Sequence, residues 1–195
     1  RMLYVRRSFG EAYGVTKQES KTIKSANKPE YRPDFSIKEC NLCPRIKQSS
    51  PIIGISGDSR LAFITQMPVW NNGIMDQNHR AQMLIDIRDR IFDGVGTDFF
   101  SFIKCGQMPP QKEEIETCFV HLENELSKSV ADVVICFGGT EALMYFGLKD
   151  SMLFGKILDY KNKRLIVTHT LRDLVRNPSL KRETYGHLLI AKGVL

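Results

Sequence analysis

Four nearly continuous apolar runs, at residues 61–66, 99–104, 133–137 and 165–169, constrain this chain more than any other feature. Runs without polar alternation suit strands covered on both faces. Stretches with the longer helical period lie between them. Ala81, Leu84, Ile85, Ile87, Ile91 and Phe92 mark one, ending near Gly94, and Ile115, Cys118, Phe119, Leu122 and Leu126 mark a second. Residues 139–147 read as a short third helix closed by Gly147. A last one after Asn177-Pro178-Ser179 carries Leu180, Tyr185, Leu188, Leu189 and Ile190. The alternation predicts an α/β fold, a three-layer α/β/α sandwich around a four-stranded, mostly parallel sheet. Ligands in such folds lie beyond the carboxyl ends of the strands. The segments after Gln66, Lys104, Phe137 and His169 therefore form the expected functional edge.

The 195 residues suffice for one domain with a real core. Residues 1–35 are polar, Lys-rich and weakly periodic, and read as a basic, flexible arm; residues 36–195 read as the folded domain. No apolar run approaches the ~20 residues that span a bilayer. The basic start lacks the apolar core of a signal peptide, so the expected location is intracellular, in a DNA-containing compartment. The formal net charge of +6 permits a polyanionic partner without demanding one. Its distribution is uneven: eight Lys or Arg between Lys156 and Arg182 face only Asp159 and Asp173. One basic flank is expected, although a charge run alone is more often a solvated face.

Five cysteines without a secretory signal argue against a disulfide scaffold. Cys40 and Cys43 form a CxxC pair. Cys105 closes the second apolar run, and Cys118 lies just inside the next helix, after a loop containing Pro109 and Pro110. That loop can return Cys105 and Cys118 to the CxxC turn, giving four thiolates for one metal site. Zinc and an iron–sulfur cluster both accept four thiolates, so spacing alone leaves both open. Cys136, inside an apolar run, reads as a buried core thiol.

In order and spacing, these residues resemble the family 4 uracil-DNA glycosylases from about Glu39 onward. The CxxC pair, Lys104-Cys105 followed by Pro109-Pro110, Cys118 in a Glu-rich helix, the stretch 133–142 and Leu174-Val175-Arg176-Asn177-Pro178 followed by Lys181-Arg182 carry the likeness. The resemblance implies a [4Fe–4S] cluster on Cys40, Cys43, Cys105 and Cys118, with zinc as the alternative. It also implies DNA as partner, a replication or repair protein beside it, and an enzyme that flips uracil from the duplex.

The positions that would do that chemistry are altered. Gln66 stands where the family has its acid, and a neutral amide takes no proton at neutral pH. The stacking phenylalanine falls, without a gap from Gly73, at Asp76; Trp70 offers a ring only if the loop rearranges. The uracil-reading asparagine falls at Ser101. Thr170 occupies the histidine position, with His169 one residue early, and His79, His121 and His187 read as surface residues. The expectation is a uracil-DNA-glycosylase-like iron–sulfur protein without ordinary excision, acting as a DNA-binding accessory factor in replication or repair. Pro68, Trp70, Ser101, Thr170, Arg172, Arg176 and Lys181 are the expected nucleic-acid-facing positions. The first rival is an active glycosylase of altered chemistry or base preference using His169, Asp76 or Asp58. The second is a protein-interaction module using the arm.

Overall fold

A computed structural model describes residues 37–195 apart from 48 and 107; the arm at 1–35 lies outside the described residues. In chain order the elements are β1 (Leu61–Thr65), β2 (Trp70–Asn71), β3 (Ile74–Met75), α1 (His79–Ile91), β4 (Thr97–Ser101), α2 (Lys112–Lys128) and β5 (Val133–Phe137). Then follow α3 (Ala142–Tyr145), β6 (Ile157–Tyr160), β7 (Lys163–Thr168), α4 (Leu171–Arg176) and α5 (Leu180–Lys192). Two short 3-10 turns, Ile37–Glu39 and Pro44–Lys47, flank the CxxC pair.

The sheet has five strands, in the order β4-β1-β5-β7-β6, and the first four run parallel. This corrects the expected four. The fifth, β6, is antiparallel to β7 and is reached through a two-residue turn at Lys161 and Asn162, with φ of 48° and 64°. Two successive left-handed residues match the right-handed twist of a tight hairpin. The strand is short and alternates buried with exposed positions, so its apolar signal is half that of its neighbours. A second missed hairpin pairs β2 with β3 across Asn72-Gly73, with φ of 48° and 79°. The second run also ends earlier as a strand, at Ser101 rather than Lys104.

Period-2 alternation divides the strands between two cores. Leu61 and Phe63 of β1, with Val133, Ile135 and Phe137 of β5, pack with Leu84 of α1, Leu171 of α4 and Leu188 of α5. Ala62 and Ile64, with Val134 and Cys136, pack with Phe119 and Leu122 of α2 and Leu143 of α3. Helices thus cover both faces. Burying each such aliphatic or aromatic side chain contributes about 1.5–3 kcal/mol before entropy is counted. Gly138, just past β5, is required by close approach: a Cβ there would lie 2.5 Å from the Ala142 Cβ and 2.9 Å from the Cys136 sulfur.

The connection from β1 places β4 on one side of it, and the next connection places β5 on the other. The order therefore reverses between β1 and β5, which opens a crevice at the carboxyl ends of those two strands.

Candidate functional site

Two sites sit at this edge. The first is the cysteine pocket. Cys40, Cys43, Cys105 and Cys118 line one pocket together with Arg45, Lys104, Glu114 and His121. Cys105 and Cys118 are buried and the CxxC pair half-buried. Among the described residues no group of three or more His, Cys, Asp or Glu side chains is arranged to hold a metal ion, so the sulfurs share a pocket without closing to ligating geometry. Cys136 lies apart, fully buried in β5, and burial pushes its thiol far up.

Buried cations and donors surround the sulfurs. The Arg45 guanidinium, 5% exposed, donates to the carbonyls of Cys105 at 3.2 Å and Pro109 at 2.9 Å, and lies 2.9 Å from Glu114. Lys104, 1% exposed, donates to the Ser101 carbonyl at 2.7 Å and pairs closely with Glu125. Glu125 also accepts from the Gly54 backbone at 2.8 Å. The Gln111 backbone N–H first, and then Arg45, holds the Glu114 carboxyl below its usual range. His121, one turn beyond Cys118 on α2, is 3% exposed and places Nε2 3.2 Å from the Cys40 sulfur. Sequence reasoning read His121 as a surface residue. Its spacing of three from Cys118 puts both on one face of the helix, and that was the signal to use.

Burial, followed by the nearby Cys43 and Cys40, pushes the Cys105 thiol up to about 11. Burial pushes Cys118 up to about 12, against the opposing pull of the Lys104 ammonium and backbone N–H. Burial, then Lys104, pulls His121 down to about 4, so its imidazole is neutral at neutral pH. Buried thiols crowded this way stay protonated unless a cation joins them, and a bound metal supplies that charge. The donor set fits a four-thiolate group, zinc and iron–sulfur alike.

The second site is the cleft at the β1–β5 switch point. It is lined by Gln66, Arg80, Pro109, Phe137, Leu171 and Arg172, among others. Its volume is about 20 Å³, room for roughly one water molecule and far too little for a nucleobase. Among the described residues no Asp, Glu or His lines it.

The expected catalytic and recognition side chains are engaged elsewhere. Trp70 is 1% exposed, and its indole donates to the Ile53 carbonyl at 2.9 Å. Ser101 is fully buried and donates to the Ile103 carbonyl at 2.7 Å. Thr170 caps α4, accepting from the Asp173 backbone at 3.0 Å. Asp76 is half-buried and accepts from the Asn78 side chain at 3.2 Å. Pro68 is buried, Asp58 lies exposed before β1, and Arg172, Arg176 and Lys181 are exposed. His169 turns toward α5: its Nε2 meets Glu183 at 2.9 Å and its ring packs on Phe154. His187, also expected at the surface, is half-buried beside it and bonds Thr168 at 2.9 Å. Arg80 was missed by sequence reasoning, because nothing in a lone helical arginine marks it.

At the amino ends of the strands a groove of about 360 Å³ is lined by Glu123, Tyr160, Lys161 and Lys163. Its polar groups bond one another: Tyr160 and Lys161 both meet Glu123 at 2.8 Å, and Lys163 meets the Ser129 and Ala131 carbonyls. Among the described residues no helix is long and apolar enough to cross a membrane. No protein-family model and no curated protein matches the chain.

Proposed function

We propose that this chain is a uracil-DNA-glycosylase-like protein with a four-thiolate [4Fe–4S] centre, one that binds nucleic acid and does not excise uracil. One observation carries the reading. Four cysteines from three separated segments line a single pocket ringed by Arg45, Lys104 and His121. Cys40, Cys43, Cys105 and Cys118 would hold the cluster. When bound, it supplies a charge-dense cross-link between the CxxC turn, the segment after β4 and α2. Its role would be structural, because it would join three segments that lie far apart in the chain.

Excision needs a group to position or activate water and a site that accepts the extruded base. The cleft offers the neutral Gln66 and space for about one water. Accessory binding in replication or repair follows from the exposed Arg172, Arg176 and Lys181, which would clamp phosphates. The test is incubation with uracil-containing single- and double-stranded DNA, scoring retention and abasic sites together. Binding at low salt without abasic product is expected. Abasic product that disappears in His169→Ala would overturn the reading.

A further inference from the structure

We infer that His121 of α2 is the hydrogen-bond donor to the Cys40 sulfur of the four-thiolate centre, orienting that ligand and stabilising its negative charge. The inference rests on the four-thiolate reading above and deepens it by naming a positioning residue for the centre.

The helix supplies the placement. Cys118 and His121 stand three apart on the seventeen-residue α2, so they share a face. Both are buried. Cys40 enters the pocket from another segment. It follows the three-residue 3-10 turn Ile37–Glu39, which buries none of its own residues, and it is itself half-buried. That turn alone gives the Cys40 sulfur little to rest on. His121 reaches across and places Nε2 3.2 Å from it. A residue of a long, packed helix thereby holds a ligand of a short turn.

The chemistry supplies the direction of the bond. A thiol and an imidazole N–H can each donate, but a metal-bound thiolate has no proton to give. With Cys40 as a ligand, the contact is Nε2–H to sulfur, and the tautomer is set. Hydrogen bonds to the sulfurs of an iron–sulfur cluster favour its reduced, more negative state. The neighbouring cations are aimed elsewhere. Arg45 meets Glu114 and the Cys105 and Pro109 carbonyls, and Lys104 meets Glu125 and the Ser101 carbonyl. His121 is aimed at a sulfur. A buried imidazole is costly without a partner, and the Cys40 sulfur is a partner that the fold provides.

The test is a redox titration of the anaerobically purified full chain, followed by electron paramagnetic resonance of the reduced centre. Wild type, His121→Leu and His121→Gln are compared, with iron counted in each. His121→Leu should lower the midpoint potential and speed iron release to a chelator by about tenfold or more. His121→Gln, whose amide keeps an N–H donor, should return both toward wild type. If His121→Leu fails to load, His121→Gln decides: loading near the wild-type potential supports the inference, and failure to load overturns it. A fall in potential that His121→Gln shares in full marks lost packing and overturns it too. Iron-loaded variants that both keep the wild-type potential overturn the inference while the four-thiolate reading stands. If the wild type carries zinc instead, zinc affinity should fall about 10–100-fold in His121→Leu and recover in His121→Gln; equal affinities overturn the inference. A wild type that holds neither metal overturns the inference and the four-thiolate reading together.

Discussion

The cysteine pocket and the switch-point cleft are linked through Pro109, which lines the cleft and accepts from Arg45 of the pocket, yet are built on opposite principles. The pocket gathers four sulfurs, a buried histidine and two buried cations, each paired with a half-buried carboxylate. The cleft holds a neutral amide, two arginines without carboxylates, and apolar walls. Buried charge is costly unless paired, so the pocket must be rigid to exist. Among the described residues the cleft carries no such network of ion pairs. The difference teaches how the two sites divide: the pocket pairs its buried cations with carboxylates, while the cleft presents arginines with no carboxylate among its described lining residues.

The sharpest way to break this comparison is Lys104→Met. It leaves the half-buried Glu125 with the Gly54 N–H but without its cation and should cost about 3 kcal/mol in urea unfolding. A loss below about 1 kcal/mol would show that the pair is not the pocket's anchor. Next is Gly138→Ala, just past β5, where the added methyl meets Ala142 and the Cys136 sulfur in the core beneath α2 and α3. Overpacking there should cost about 1–3 kcal/mol, read as a lower urea midpoint.

A smaller effect concerns His187. Burial, and to a lesser extent His169, lowers its pKa against the pull of Glu183. Below about pH 6.5 the unfolded chain takes a proton on this residue that the folded chain refuses. Stability should therefore fall as pH drops from about 6.5 toward the lower folded pKa, by at most about 1.4 kcal/mol per pH unit. His187→Gln should flatten that part of the profile. Smallest is Arg60→Ala: both Arg60 and Asp132 are mostly exposed, and their loss should cost under about 1 kcal/mol.

The parallel core of the fold was legible because both-face burial writes itself as unbroken apolar runs. Leu61, Val133 and Leu165 all sit where those runs placed them. β6 was not legible, because an edge strand alternates and its only mark was the Lys161-Asn162 turn. The hairpin at Asn72-Gly73 carried a strong turn signal, but that loop was read for a stacking ring. Trp70 shows the limit of residue type as evidence: the same side chain serves as a stacking platform or, as here, as core. Spacing led us to expect Cys40, Cys43, Cys105 and Cys118 in one place, and they line one pocket. His121, Arg45 and Lys104 around them were not legible, since only the folded chain brings residues 40–45, 104–105 and 114–121 to one place. Thr170 was read as standing at the histidine position and facing nucleic acid; its spacing to Asp173 is also that of the helix cap it forms.

The most direct test is quantitation of iron, acid-labile sulfide and zinc in anaerobically purified protein, wild type and Cys118→Ser together. About four irons and four sulfides per wild-type chain are expected, with visible absorbance from thiolate–iron charge transfer and loss of both in the variant. A folded wild-type protein carrying neither iron nor zinc would contradict the account. Stoichiometric zinc alone would keep the four-sulfur centre and contradict the cluster.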